Sequence, residues 1–491
     1  MSEHLPVLLV VVPLVAAPIA ALVNHARLAW LIAVAAALWA FGAAVVLLQR
    51  VLAEGTISYA LGNWAPPVGI EYRIDEANAF VALIVAAIGA VVAFYARASI
   101  ERELSSDRVA LFYSAFILCL TGLLGITVTG DAFNVFVFLE ISSLSTYALV
   151  ALGTDRRALT ASYQYLVMGS VGATFIVIGI GLMYVMTGTL NMADLAERLP
   201  AVADTRTIPV AFAFLVVGIT LKLALFPLHL WLPNAYAYAP SAVTAFLAAT
   251  ATKVAVYLLL RFFFTVFGAA YSFDVLEVDR VLMPLAVVAI LGMSLVAVYQ
   301  EDAKRLLAYS SVAQIGYMIL GISFASVLGV TAGILHLFNH ALIKGALFMA
   351  LGCVMYRVGS VSVERMAGLG RAMPWTMAAF VVGGLSLIGV PLTVGFVSKW
   401  YLVQAALEQG LWLVAAAVLM GSLLAVVYVW KVVEVAYFRR ADPAADIREA
   451  PLSLLAPTWV LVLANLYFGI DASLTAGVAT RAAEMLLGGA P

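Results

Sequence analysis

Charge is what this chain has least of. Only 11% of its residues are Asp, Glu, Lys or Arg, against about 25% in an ordinary soluble domain. With 65% hydrophobic residues and a mean hydropathy of +1.08, the sequence excludes a soluble globule and describes a polytopic membrane protein. The formal net charge is −1, so nothing favours nucleic acid or a strongly charged partner. Cysteine is nearly absent too. Cys119 and Cys353 sit in apolar runs without metal-ligand spacing and read as inert buried thiols, which excludes an iron–sulfur centre. No glycine-rich dinucleotide fingerprint occurs in a βαβ setting, and neither a cofactor nor a bound metal is expected. The first apolar run, Leu5–Val23, lacks a basic lead and a small-residue cleavage site, so it reads as a membrane span and not as a cleavable signal.

A helix needs about 20 apolar residues to cross the hydrocarbon. Cutting at charged or Pro/Gly-rich breaks predicts an all-α chain of about fourteen transmembrane helices, starting near residues 5, 28, 77, 109, 131, 161, 207, 240, 281, 305, 327, 374, 411 and 452. Only residues 53–76, 190–206 and 438–451 are long enough for small structures outside the bilayer. Basic residues follow odd-numbered spans about twice as often as even-numbered ones. The positive-inside rule then places both ends of the chain on the outer, periplasmic side of a bacterial cytoplasmic (inner) membrane.

What charge there is lies in unusual places. Glu140, Lys222, Lys253, Lys344 and Lys399 all fall inside apolar runs. Each costs at least about 2.5–3.5 kcal/mol at the bilayer centre. Several together point to proton or ion movement, with structural ion pairs as the alternative. Pro227 follows Lys222 in the seventh span and Pro391 precedes Lys399 in the twelfth. Proline removes a backbone donor and opens a helix, and such breaks survive at membrane depth only when buried or facing water. Broken helices five spans apart suggest two inverted five-helix repeats. The expected organisation is residues 1–107 for helices 1–3, 108–268 and 280–438 for the repeats, and 439–491 for a loop and the last helix.

Glu140 and Lys222 suit a switchable pair. Burial favours both neutral forms, and each charge restores the other. Lys253, one span on, is the natural proton acceptor. His336, His340 and Lys344 recur every four residues and share one helical face, which suits a proton relay. Zinc binding is the rival for the two histidines, but the run is HLFNH and no third ligand is evident. Lys399 would end the path. His229, just beyond Pro227, either hydrates the break or makes a local hydrogen bond. Lys431 and Glu434 read first as a local i,i+3 pair or as snorkelling side chains, Lys304 and Arg305 as loop charges that set topology, and Asp131 as a helix N-terminal charge that could also collect cations.

The segments FVFLEISSLSTYAL, LKLALFPLHLWLPNAYAYAPSAVTAFLAATATKVAVY, EDAKRLLAYSSVAQIGYMILG, HLFNHALIKGALFM and GVPLTVGFVSKW together resemble a family of antiporter-like subunits. That family is shared by respiratory complex I (the N, M and L subunits of NADH-quinone oxidoreductase) and the Mrp-type multisubunit cation/proton antiporters. GNWAPPVGIEYRID and LLAVVYVWKVVEVAYF look most like the D-type subunit of the latter. The resemblance implies fourteen core helices with helices 7 and 12 broken. It implies a proton path through Glu140, Lys222, Lys253, His336, His340, Lys344 and Lys399. It also implies other antiporter or complex I-like subunits as partners, with protons and Na+ as the coupled ions. Asn234 and Tyr236 stand where other members often carry an acid and a histidine. The expected function is a proton-translocating subunit of a Na+/proton antiporter, not an enzyme by itself. The alternatives are a membrane-arm subunit of NADH:quinone oxidoreductase or a related hydrogenase, and a scaffold for another transporter.

Overall fold

The computed structural model describes residues 3–440 and 447–488. Hydrocarbon offers no hydrogen-bond partners, so each crossing segment closes its backbone bonds within itself as a helix. Among the described residues, twelve helices are long and apolar enough to cross: Leu5–Val23, Ala26–Glu54, Glu76–Glu103, Ser106–Val128, Ala132–Ala151, Arg157–Thr187, Ser241–Val266, Asp279–Val298, Ala303–Ser323, Val327–Val358, Trp412–Phe438 and Leu452–Ile470. Two shorter apolar helices, Thr207–Leu223 and Pro374–Ile388, each lead through a turn into a second helix, Trp231–Tyr238 and Val394–Glu408. Pro227 and Pro391 lie in those turns.

Val327–Val358 is the axis of the bundle. Every residue from Gly329 to Val354 is buried, as expected of a helix that is apolar all round. It packs against Ala303–Ser323, the Ser241–Ala249 half of its neighbour, both halves of the second broken helix and Leu452–Ile470. Close approach is secured at Gly352, where a Cβ would fall 2.0 Å from the Tyr95 hydroxyl oxygen. Tyr95 instead donates to the Met349 carbonyl at 3.0 Å.

One face of the bundle carries a hairpin in the segment 53–76, with strands Ile57–Ala60 and Glu71–Ile74 antiparallel and Ile57 opposite Ile74. His4 Nδ1 lies 2.9 Å from the Tyr59 hydroxyl on this hairpin. Arg481, on a late helix Ser473–Leu486, reaches the Leu52 carbonyl on the same face. That late helix is an addition to the expected elements. It buries Thr475, Val478, Ala479, Ala482, Ala483 and Leu486, an i,i+3,i+4,i+7 stripe on a segment too short and too polar to register as a span. Of the expected loop 438–451, residues 441–446 lie outside the described residues.

One local motif occurs twice, with the same spacing between its parts. Asp131 caps Ala132–Ala151 and bridges to Asn191, just beyond a helix closed by left-handed Gly188. Asp302 caps Ala303–Ser323 and bridges to Ser362, just beyond a helix closed by left-handed Gly359. The first copy lies beside the hairpin, where Asn191 donates to Glu71 at 2.8 Å. The second lies at the opposite face, where Lys304 donates to Ala239 at the end of Trp231–Tyr238. Lys304, expected in a loop, is instead buried in the first turn of Ala303–Ser323, where its ammonium finds the Ala239 carbonyl as an acceptor.

Candidate functional site

Thr207–Leu223 ends in a left-handed Ala224 with φ 61°, whose N–H reaches the Leu221 carbonyl only at 3.3 Å. Trp231, across the turn, donates its indole N–H to the Leu221 carbonyl at 3.0 Å and stacks on Tyr165 with ring centroids 3.9 Å apart. Lys222 sits on that last turn. Its Nζ donates to Ser143 Oγ at 2.8 Å and lies 3.8 Å from Glu140 Oε1. Glu140 and Ser143 are i,i+3 neighbours on one face of Ala132–Ala151. The nearest group to the ammonium is thus a hydroxyl. Glu140 Oε1 is buried without a hydrogen-bond partner, although 30% of the side chain remains accessible. The pair forms, but it is slack.

Between Lys222 and the next helix lies a cavity of about 40 Å³, lined among others by Ser142, Ser143, Thr146, Tyr165 and Val254. A water needs roughly 10–15 Å³ of such volume and two or more polar partners, and both conditions are met here. Beyond it, the helix from Ser241 is interrupted at Thr250, with φ −127°, a break with no proline to announce it. Lys253, fully buried, donates to the Ala248 carbonyl in the last turn of Ser241–Ala249 and to Thr252 Oγ1 at 3.4 Å.

The axial helix continues the line. His340 lies within electrostatic range of Lys253 and Lys344. Neither of its ring nitrogens has a hydrogen-bond partner, and its ring lies parallel to that of His336 at 6.2 Å. His336 is held from both sides. Its Nε2–H donates to Gln314 Oε1 at 3.0 Å, and Nδ1 lies 2.8 Å from the Ser398 hydroxyl, from which it accepts when the ring is neutral. Lys344 donates to the Leu307 carbonyl at 2.8 Å and to Ser310 Oγ.

Pro374–Ile388 stops at Gly389, φ 93°. Lys399, in the second half, turns back to donate to the Leu387 and Ile388 carbonyls, both at 2.9 Å, and to Ser422 Oγ at 3.0 Å. Its Nζ lies 4.9 Å from the Tyr317 ring centroid, and that ring is 5.4 Å from His336. Lys399 and His336 are therefore linked through Tyr317 and through the adjacent Ser398.

A rule emerges for the buried lysines. Lys253 and Lys399 donate to last-turn carbonyls of helices that stop inside the protein, and Lys304 donates to Ala239, the residue that ends Trp231–Tyr238. Such carbonyls carry partial negative charge and need donors. Lys431 does the same at Val298 and Gln300, at 3.1 and 2.8 Å, and not as an i,i+3 partner of Glu434. Glu434 pairs instead with exposed Arg439 at 3.4 Å. Asp131 accepts the Asn134 N–H at 2.7 Å as a cap. His229 is buried beside the first break, stacked on Phe226, with Nδ1 unpartnered.

One buried charge pair is not foreseen from the sequence. Arg261 Nη2 meets Asp75 Oδ2 at 2.8 Å and Oδ1 at 2.9 Å, and its Nε donates to the Tyr257 hydroxyl at 3.1 Å. Arg261 interrupts the run YLLLRFFF and Asp75 directly precedes a span, so a signal is present, but the two are far apart in the chain. No three His, Cys, Asp or Glu side chains converge as a metal site among the described residues.

A family model described as NADH:quinone oxidoreductase/Mrp antiporter, TM, matches residues 129–425. The N subunit of NADH-quinone oxidoreductase from Desulforudis audaxviator is 41% identical over 96% of both chains. The D subunit of the Na(+)/H(+) antiporter from Bacillus subtilis is 30% identical over 90% of this chain and 88% of its own. A chain of the Mrp complex from Dietzia superposes with a TM-score of 0.90 at 26% identity, covering 99% of this chain and 98% of its own. A chain of the membrane-bound sulfane sulfur reductase, an archaeal respiratory membrane complex, gives 0.91 at 30% identity with the same coverage.

Proposed function

On the premise that the chain belongs to the NADH:quinone oxidoreductase/Mrp antiporter transmembrane family, we propose that it is the proton-translocating subunit of a multisubunit monovalent cation (Na+)/proton antiporter. One observation carries the reading: a buried file of lysines and histidines in which Lys253, Lys344 and Lys399 are held by carbonyls and hydroxyls, with a carboxylate only beside Lys222. A carbonyl dipole solvates an ammonium without fixing it there by a full opposite charge. The lysine can therefore lose its proton without stranding a buried carboxylate. The Asp75–Arg261 pair has the opposite design, with a bidentate contact and a guanidinium that does not deprotonate.

In this reading Lys222 is held protonated by Glu140 and releases its proton when that slack pair opens. Water in the adjoining cavity hands the proton towards Lys253. His340, with both ring nitrogens free, passes it between Lys253, Lys344 and His336, and Lys399 completes the file beside the second break. His229 hydrates the first break and Asp131 holds the start of its helix. The twice-occurring Asp cap, bridge and left-handed Gly, on opposite faces of the bundle, supports inverted repeats over 108–268 and 280–438. We place the hairpin face on the periplasmic side of the bacterial inner membrane.

A second reading is favoured by the 41% identity to an N subunit of NADH-quinone oxidoreductase: the same file would serve the membrane arm of a redox-driven complex. Sodium decides between them. In vesicles holding the full assembly, the antiporter reading expects proton flux driven by a Na+ gradient. Flux driven only by electron donor and quinone would replace it with the second reading. If Glu140→Ala, Lys222→Ala and Lys399→Ala all left flux unchanged in the intact assembly, the chain would be a scaffold.

A further inference from the structure

A second cavity lies away from the proton file. It is a groove of about 840 Å³ between Ala26–Glu54, Glu76–Glu103, Val327–Val358 and Leu452–Ile470. Its rim carries accessible Leu38, Phe41, Phe94 and Val460, so it opens sideways to the hydrocarbon. Its floor is Phe338, Ala341 and Leu342, the turn of the axial helix that also carries His340. Here the lipid phase reaches that otherwise enclosed helix. Trp30 to Val45, along one wall, spans roughly 22 Å at 1.5 Å per residue, compared with a hydrocarbon core of about 30 Å.

The groove has one polar end. Arg97 is its single charged lining residue, with the guanidinium 4.6 Å from the Trp30 ring centroid. Trp30 donates its indole N–H to the Ala93 carbonyl at 3.0 Å, which fixes the ring as a platform at headgroup level. Arg27 precedes Trp30 by three residues and stands on the same helical face, exposed. Arg97 lies 3.6 Å from Glu101. That exposed i,i+4 contact is weak and leaves most of the five guanidinium donors free.

We propose that this groove binds an anionic phospholipid. An acyl chain fills the apolar trough and the phosphate sits between Arg97 and Arg27 beside Trp30. Charge complementarity selects the headgroup, as basic pockets between membrane helices do elsewhere, and the apolar walls select the tail. The tail then packs directly under the turn bearing His340, so the lipid forms part of the wall around the proton file. The inference rests on the membrane fold and stands whether or not the proton reading holds.

The test uses the intact assembly in phosphatidylcholine vesicles doped with a phosphatidylglycerol carrying a photoreactive acyl chain. Label is expected on peptides holding Phe94 and Ala341. Unlabelled phosphatidylglycerol should compete it away, and added phosphatidylcholine should not. Arg97→Gln should cut the advantage of phosphatidylglycerol roughly fivefold, and Ala456→Trp, which fills the groove from its accessible rim, should abolish the label. Equal competition by both lipids would overturn anionic selection. Absence of label from the groove peptides would overturn lipid binding and point to a protein segment covering the groove. If either variant fails to assemble, competition in the unmodified assembly decides alone.

Discussion

At the scale of single residues, the buried cations fall into two kinds that differ in what faces them. Arg261 meets a carboxylate at 2.8 Å; Lys253 and Lys399 meet backbone carbonyls. Removing one partner of the first kind leaves an uncompensated buried charge. Asp75→Asn or Arg261→Gln should each destabilise the protein by about 3–5 kcal/mol, seen as loss of assembled complex, and the double substitution should cost less than the sum of the two. The slack Glu140–Lys222 contact should behave differently. Glu140→Gln is expected to leave assembly intact and to depress proton flux, and the swap Glu140→Lys with Lys222→Glu should recover part of it. Unchanged flux in Glu140→Gln alone would remove this pair from the coupling. Glu140 and Lys222 are legible in the sequence because a charge inside an apolar run is costly and rare. The real neighbours of the buried groups are not: Ser143 beside Lys222 and Ser398 and Gln314 beside His336 are common residues, and backbone carbonyl acceptors leave no trace in a sequence.

At the scale of elements, the broken helices act as the acceptors. A continuous helix consumes its own carbonyls, whereas one that stops at Leu223, Ala249 or Ile388 exposes them for a lysine or a tryptophan to cap. Gly389 keeps the second break at φ 93°, and a Cβ there would lie 3.0 Å from Lys399 Cδ. Gly389→Ala should therefore cost about 1–2 kcal/mol in backbone strain and also displace Lys399. Flux should fall further than the modest loss of thermal stability alone would explain; unchanged flux would separate Lys399 from the break. Trp231→Phe keeps the stack on Tyr165 but removes the indole donor to the Leu221 carbonyl, which keeps only the longer Ala224 N–H at 3.3 Å, an expected loss of about 0.5–1.5 kcal/mol readable as a lower melting temperature. Two of the breaks are visible in the sequence as Pro227 and Pro391. The one at Thr250 is not, because AATATK carries no proline or glycine and tertiary contacts alone decide it.

At the scale of the whole molecule, crossing helices are the most legible feature, because the bilayer demands about 20 apolar residues per crossing and the chain supplies them in discrete runs. The amphipathic Ser473–Leu486 escapes that reading for the same reason: it is too short and too polar to cross. The axial helix Val327–Val358 packs against helices from before and after it in the chain, and Lys253 and Lys399 lie within electrostatic range of His340 on it. The central claim is that these lysines carry protons and do not merely hold the helix ends. Arginine separates the two roles, since it caps carbonyls at least as well but stays protonated. The most direct test is proton flux through the intact assembly in vesicles after Lys253→Arg, with assembly checked in parallel. The account predicts an assembled complex with flux abolished; an assembled complex that conducts at the unmodified rate would contradict it.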